Sequence, residues 1–189
     1  ENTGGLAFTR HVVSSTLNGA HTAYPVDMDH DGDVDVVAGG KLGDKLAWYE
    51  NDGAMSFTEH TLSITMDEIH RIQAGDLDAD GDIDIAVAAA STNGAGWLEN
   101  DGFLGFTWNP FTSLGLTSAE EIVIDDLDGD GDSDLILSER YDTELVWMEN
   151  DGSGNFTHNV ATSRPYEVSC LQALDLDLDG DHDILVSST

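Results

Sequence analysis

Basic residues are scarce in this sequence, where six lysines and arginines stand against 38 aspartates and glutamates among 189 residues. The formal net charge is −32 with neutral histidines. Such an acidic surface repels phosphate backbones and anionic lipid, which excludes nucleic acid as a partner and favours cations. Hydrophobic residues still make up 40% of the chain, so we expect a folded protein with a core rather than a disordered acidic tail.

Cysteine is also scarce, and the sequence has no long apolar run. The single cysteine, Cys170, rules out an intramolecular disulfide. The apolar run at residues 85–90 is far shorter than the roughly 20 residues that span a bilayer, so we predict no membrane insertion. The chain begins at Glu1 without the basic and apolar regions of a signal peptide, as expected of a processed chain or of a piece of a longer one.

The sequence is dominated by a repeat of 49 to 50 residues. Three landmarks recur at this period: a Phe-Thr pair, a tryptophan two residues before Glu-Asn, and an aspartate-rich run. We treat residues 1–189 as a single domain or as a fragment of a larger domain. Division before each Glu-Asn pair splits these residues into four repeats. These repeats are 1–49, 50–98, 99–148 and 149–189.

Each repeat contains strand-like segments and no helical spacing of apolar residues. One strand precedes each aspartate run, an apolar strand follows it, and the tryptophan segment forms a third. An Asn-Asp-Gly hairpin turn then leads into a fourth strand that starts at Phe-Thr. Four strands per repeat predict an all-β fold, a β-propeller of four-stranded blades, rather than a helical solenoid or a βαβ sheet.

The fourth blade is predicted to be incomplete, because the sequence stops at Thr189 before any tryptophan segment. Residues 8–13 are a candidate for its outer strand, although one strand would still be absent and would leave an open edge. Three alternatives could fill that edge: residues beyond 189, further repeats of a larger ring, or a strand from a neighbouring copy.

The four aspartate runs share the pattern D-x-D-x-D-G-D-x-D, which indicates metal binding. Alternate carboxylates with a glycine at position six suit a hard cation that needs six or seven oxygens, and calcium fits better than magnesium or a transition metal. An EF-hand is excluded, because position twelve is apolar in every run, as at Ala38. The ninth aspartate is therefore expected to close the shell, while Asp33 is expected to bind through its main chain.

We predict about four calcium ions, one per run. The predicted metal ligands are Asp27, Asp29, Asp31, Asp33, Asp35, Asp76, Asp78, Asp80, Asp82, Asp84, Asp126, Asp128, Asp130, Asp132, Asp134, Asp175, Asp177, Asp179, Asp181 and Asp183. His30 and His182 lie at even positions of their runs and are expected to be exposed spacers.

The aspartate runs, the segments AWYENDG and FTEH and the period near 49 residues make the whole chain resemble the FG-GAP or VCBS repeat family. This resemblance implies blades like the calcium-binding blades of integrin α-subunit propellers, with the metal loop between the first two strands of a blade. It also implies an extracellular, secreted or cell-surface protein, because members serve mostly in adhesion, in carbohydrate binding or beside enzymes.

The tryptophans separate into two groups. Trp48, Trp97 and Trp147 recur at one place in the repeat, which predicts packing between blades. Trp108 lies at a variable position, is expected to be exposed, and is the candidate ligand contact. The varied residues just before the aspartate runs form a rim where a ligand site could be built; they are 20–21, 69–71, 119–121 and 168–169.

Known catalytic motifs are absent, and Glu120 and Glu121, as neighbours in a strand, are expected to face opposite sides. We therefore expect no enzyme. Two functions remain: a calcium-rigidified extracellular propeller used for self-assembly or adhesion, whose open blade takes a strand from a neighbouring copy, or a lectin-like module that binds carbohydrate or protein.

Overall fold

The computed structural model describes residues 1, 4–5, 7–42, 44–62, 66–90, 94–103, 105–112, 118–140, 144–163 and 168–188. Within these ranges the chain forms 14 strands, which are arranged in four antiparallel sheets. Each sheet is one blade, and its strands lie side by side in the order in which they follow one another in the sequence. Blade one consists of β1 (Ala20–Val26), β2 (Asp35–Gly40), β3 (Leu46–Asn51) and β4 (Phe57–Leu62). Blade two consists of β5 (Ile69–Gly75), β6 (Asp84–Ala89), β7 (Ala95–Asn100) and β8 (Phe106–Pro110).

Blade three consists of β9 (Ala119–Asp125), β10 (Asp134–Glu139), β11 (Glu144–Asn150) and β12 (Phe156–Ser163). Blade four has only β13 (Val168–Leu174) and β14 (Asp183–Ser188) among the described residues. The inner strands β1, β5, β9 and β13 contact one another in succession and face a common axis. The predicted all-β propeller with an incomplete fourth blade is confirmed.

The core lies between neighbouring blades. Every residue of β6 is buried, because its two faces pack on blade one and blade three. Trp48 and Trp97 are 1% and 4% exposed and belong to these two layers, which confirms their predicted packing role. Trp97 also meets Phe156 of the next blade edge to face, with ring centroids 6.1 Å apart. Trp147 is half-buried in the smaller layer between blades three and four.

The N-terminal segment packs on blade one. Val13 and Leu17 contact a buried cluster formed by Ala38, Ala47 and Tyr49 on the face of blade one that points away from blade two. The expectation that residues 8–13 supply the outer strand of blade four is therefore wrong, since blade four pairs only β13 with β14 in the described structure. Burial of this apolar face explains where the segment goes.

Blade four is the exposed end of the arc. Most residues of β14 are exposed or half-buried, and Leu185 is 49% exposed. The edge of β14 that faces away from β13 has no strand partner among the described residues.

In the part of the chain that the structure describes, no helix has the length and apolar character required to cross a membrane.

Each inner strand carries a β-bulge near its start, at the end of the axis opposite the aspartate loops. One residue at each bulge has no partner in the register of the adjacent strand. These four residues are His21, His70, Glu120 and Ser169. The two ends of the axis therefore differ: one carries the aspartate loops and the other carries the bulges.

Candidate metal centre

The four aspartate runs form loops between the first and second strand of each blade, and in every loop three carboxylates converge. One oxygen from each carboxylate of a group lies within 4.8 Å of the others. Positions one, three and five converge in three loops, whereas positions one, three and nine converge in the second loop. The groups are Asp27, Asp29 and Asp31; Asp76, Asp78 and Asp84; Asp126, Asp128 and Asp130; and Asp175, Asp177 and Asp179.

Backbone amides wrap each loop around its first carboxylate. The amide of Gly32 donates to Oδ2 of Asp27 over 3.1 Å, and the amide of Asp33 donates to Oδ1 of Asp31 over 2.8 Å. The bond from the sixth-position glycine recurs in the other three loops at the same length. Gly32 has φ of 96°, a conformation that L side chains rarely adopt, which accounts for glycine at position six.

In three of the four loops the second oxygen of the first carboxylate has no hydrogen-bond partner among the described residues. Oδ1 of Asp27, Asp76 and Asp175 is buried and accepts no hydrogen bond within the described structure. An unsatisfied buried acceptor costs about 1–3 kcal/mol, and more when it is charged. A divalent cation held among the converged oxygens would satisfy this atom, so the residues present fit a hard metal ion.

The pKa values of the third-position carboxyls indicate the same fit. Desolvation raises the pKa of Asp29 and Asp78, and the charges of neighbouring carboxylates raise it further. Those neighbours include Glu50 for the first loop and Glu99 for the second. Sequence reasoning missed these glutamates, although they recur in every Glu-Asn-Asp-Gly segment. The crowded negative charge would be relieved by a bound cation.

The ninth-position aspartate anchors the loop to the blade. Asp35 is 0% exposed, and its carboxylate accepts hydrogen bonds from the amide of Met28 (3.1 Å), the indole of Trp48 (2.9 Å) and the amide of Asn51 (2.7 Å). The side-chain amide of Asn51 also donates to the carbonyl oxygen of Val34. The tryptophan and the asparagine of the repeat are therefore parts of the metal loop's support, a role that the sequence reading missed.

The amide hydrogen bonds of this anchor recur in blades two and three, and the indole hydrogen bond recurs in blade three. Asp84 accepts the amides of Leu77 and Asn100, both at 2.8 Å, and burial raises its pKa to about 7. Asp134 accepts the indole of Trp147 at 3.0 Å and the amide of Asn150 at 2.8 Å. Asp84 also belongs to the converging carboxylates of its loop, whereas for Asp35 and Asp134 the predicted closing of the metal shell stays a prediction.

The fourth loop lacks this support among the described residues. Asp183 is exposed and accepts one amide hydrogen bond, from Leu176 over 3.3 Å. The loop instead contacts the neighbouring blade through His182, whose Nδ1 lies 2.8 Å from Oδ1 of Asp125 at the end of β9. His182 is thus exposed but not a mere spacer, whereas His30 is exposed as expected.

Two expectations about ligand residues need correction. Trp108 is half-buried rather than exposed, because it packs against the layer between blades one and two and close to Gly96. Glu120 and Glu121 were expected to face opposite sides, yet both line one cavity. The reason is the bulge at Glu120, which breaks the alternation of the strand. The rim residues thus converge at the axis.

Propeller blades that each carry an aspartate loop with converging carboxylates are the defining features of one class of repeat protein. The chain belongs to the family of FG-GAP-like repeats, which matches residues 27–87 and 126–186, more than half of its length. Each match starts at the first aspartate of one loop and ends in the strand after the next loop. Among curated proteins, no relative matches the sequence.

Solved structures that share this fold include a lectin and a biofilm matrix protein. A lectin from Agrocybe aegerita, described as recognising non-reducing terminal N-acetylglucosamine, has a TM-score of 0.61 at 21% identity, with 86% of this chain and 45% of the lectin covered. The V. cholerae biofilm matrix protein Bap1 has a TM-score of 0.53 at 18% identity, with 87% of this chain and 23% of Bap1 covered. The chain spans less than half the length of either protein.

Proposed function

We propose that this chain is an extracellular calcium-binding propeller whose ions rigidify the blades for self-assembly or adhesion. The observation that carries the proposal is the convergence of three carboxylates in every loop, with a buried, unpartnered oxygen in three of the four. Membership of the FG-GAP-like repeat family supports it. A secreted or cell-surface location is part of the proposal, because the resemblance to the FG-GAP or VCBS repeat family implies it.

The ions would act through the anchors of the loops. Calcium at Asp27, Asp29 and Asp31 fixes the loop, and Asp35 ties that loop to Trp48 and Asn51 in the third strand of the blade. Ion binding and blade cohesion are thereby coupled, so binding free energy becomes folding free energy. Four divalent ions would also reduce the formal charge of −32, which otherwise opposes a compact fold.

Thermal unfolding with and without a chelator tests the calcium proposal. At a free concentration of 100 times Kd each site adds about 2.7 kcal/mol. A stabilisation of 1 kcal/mol shifts the Tm of a domain of this size by about 2–4 °C. Removal of calcium is therefore expected to lower Tm by at least about 10 °C, with magnesium as the control ion. An unchanged Tm would contradict the proposal.

Self-assembly would use the free edge of blade four. The edge of β14 has no strand partner in the described structure, and backbone groups on such an edge can pair with a strand of a second copy. The fold neighbour described as a biofilm matrix protein gives further support. We expect oligomers in calcium by light scattering, and Leu185→Asp on this edge should shift them to monomers. A monodisperse wild-type monomer would contradict this route.

A second candidate function is glycan binding without catalysis. It is favoured by a cavity of about 400 Å³ at the bulge end of the axis, and a fold neighbour is described as a lectin. The two glutamates in this cavity are engaged in ion pairs with arginines, which does not favour an acid and base pair for glycoside cleavage. A glycan array tests the proposal: wild-type protein should retain at least one glycan and release no cleaved product, and an array without hits would refute it.

A further inference from the structure

The cavity at the bulge end of the axis is built by all four blades. Its lining includes the four bulge residues, which come from the starts of β1, β5, β9 and β13. A β-bulge re-aims a side chain that would otherwise follow the alternation of the strand. The volume of about 400 Å³ lies within the range of about 300–1,000 Å³ that is typical of small-molecule sites.

The residues of this cavity do not repeat. The anchors of the aspartate loops are alike from blade to blade, whereas the bulge position carries His21, His70, Glu120 and Ser169 in turn. A position with the same structural role in every blade would be expected to carry the same residue type. The four bulge positions instead carry three kinds of side chain: an imidazole, a carboxylate and a hydroxyl group. The cavity is therefore a single site of the whole arc rather than one of several copies within the blades.

Ion pairs fix the polar side chains of the cavity. Nε and Nη2 of Arg71 donate to the two carboxylate oxygens of Glu121 over 2.9 and 2.7 Å, which joins β5 to β9 in a bidentate pair. Oε1 of Glu120 lies 3.4 Å from Nε of Arg140, and its Oε2 lies 3.2 Å from Nδ1 of His70. These groups are held in place before any ligand arrives, which lowers the entropy lost on binding.

His70 is buried beside the charged groups of the cavity. Its side chain is 2% exposed, and Nδ1 lies 3.0 Å from the carbonyl oxygen of Ala119 and 3.2 Å from Oε2 of Glu120. Nε2 is buried and makes no hydrogen bond among the described residues, and Oε2 of Glu68 lies 3.7 Å from it. The buried ring therefore helps to hold the Glu120 carboxylate in place.

The chemistry of the lining indicates a neutral ligand. The charges of Arg71 and Arg140 are balanced by those of Glu121 and Glu120, so the site has no net formal charge with neutral histidines. Val168 is the one apolar side chain among the described residues that line the cavity. The other lining residues carry hydrogen-bond donors and acceptors, which match a molecule with several hydroxyl groups.

We propose that this axial cavity binds one sugar residue of a neutral glycan, with hydroxyl groups bonded to the Glu120 carboxylate and the paired guanidinium of Arg71. The inference rests on the proposed glycan-binding function and names the site for it. It differs from a site at Trp108, which lies on the outer strand of blade two, far from the bulges in the order of each sheet.

An array of neutral and acidic glycans, probed with wild-type protein and three variants in calcium, tests the inference. Ser169→Trp fills the cavity from an exposed position, and Glu120→Gln removes one ion pair with little change in shape. Ser153→Trp is the matched control, because Ser153 is exposed in a hairpin turn at the aspartate end. All variants should melt as wild type does to within a few degrees, so lost binding reports on the cavity.

We expect wild type and Ser153→Trp to bind the same neutral glycan, with affinity lowered at least about tenfold in Ser169→Trp and Glu120→Gln. Glycan binding that survives in both axial variants would overturn the inference and leave the glycan-binding function standing. Selective binding of acidic glycans would overturn the proposed ligand class. An array on which wild type binds no glycan would refute the glycan-binding function itself.

Discussion

The buried carboxylate of Asp35 offers a direct test of how the metal loop is tied to its blade. Its two oxygens accept three hydrogen bonds, from the amides of Met28 and Asn51 and the indole of Trp48. In Asp35→Asn, one of these oxygens becomes an amino group that faces N–H donors. Loss of one bond to a charged acceptor costs about 1.5–3 kcal/mol, and a donor left unsatisfied in the interior adds about 1–3 kcal/mol.

We therefore expect Asp35→Asn to lower the free energy of unfolding by about 2–5 kcal/mol in excess calcium. The assay is urea unfolding followed by tryptophan fluorescence, to which Trp48 contributes together with the other three tryptophans. The estimate allows for a small opposing effect, since Asp35 is one of the charges that raise the pKa of Asp29. The denaturation midpoint should fall without a change in m, because the same surface is exposed on unfolding.

Asp183→Asn is the control, because the equivalent carboxylate in blade four is exposed and accepts one amide bond of 3.3 Å. Exposure lets water replace that bond, so we expect a loss below about 1 kcal/mol. Equal destabilisation by the two substitutions would refute the anchor and would indicate that both residues act only through the metal. A loss below about 0.5 kcal/mol for Asp35→Asn would do so as well.

Three further predictions follow from the loops. Calorimetric titration with calcium should resolve three tight sites and a weaker fourth. The reason is that Asp183 is exposed, whereas the ninth aspartates of the other three loops are buried and hold their loops in place. Four sites of equal affinity would contradict this prediction. The gap in Tm between calcium-loaded and calcium-free protein should narrow as pH falls from 7.5 to 5. Burial raises the pKa of Asp84 to about 7 and also raises the pKa of Asp29 and Asp78, so protons compete with the ion in this window and relieve the carboxylate repulsion of the calcium-free loops. A gap that widens would contradict this reasoning. Ala79→Gly should raise the free energy of unfolding, measured by chemical denaturation, by up to about 1 kcal/mol. Ala79 has φ of 58°, a conformation that favours glycine, and the equivalent residue of the third loop is Gly129. A lower free energy of unfolding would argue against backbone strain at Ala79.

Local patterns in the sequence predicted much of the loop geometry. Carboxylates at alternate positions converge because the loop turns at a glycine with positive φ, and the pattern specifies both features within nine residues. The support of the loop was missed because its parts are 13 to 16 residues away, as in the bonds from Trp48 and Asn51 to Asp35. The repeat placed these residues at fixed spacing, but spacing alone does not reveal which atoms meet.

By itself the sequence determined the all-β repeat, the number of strands in each blade and the position of the aspartate loops, since each depends on short-range periodicity and turn residues. The tertiary structure alone decided how separate repeats combine. The pairing of Arg71 with Glu121 joins residues 50 positions apart, and the bulge that turns both Glu120 and Glu121 to one cavity leaves no mark in a local pattern. Contacts between blades depend on the register and packing of whole sheets, which only the folded chain fixes.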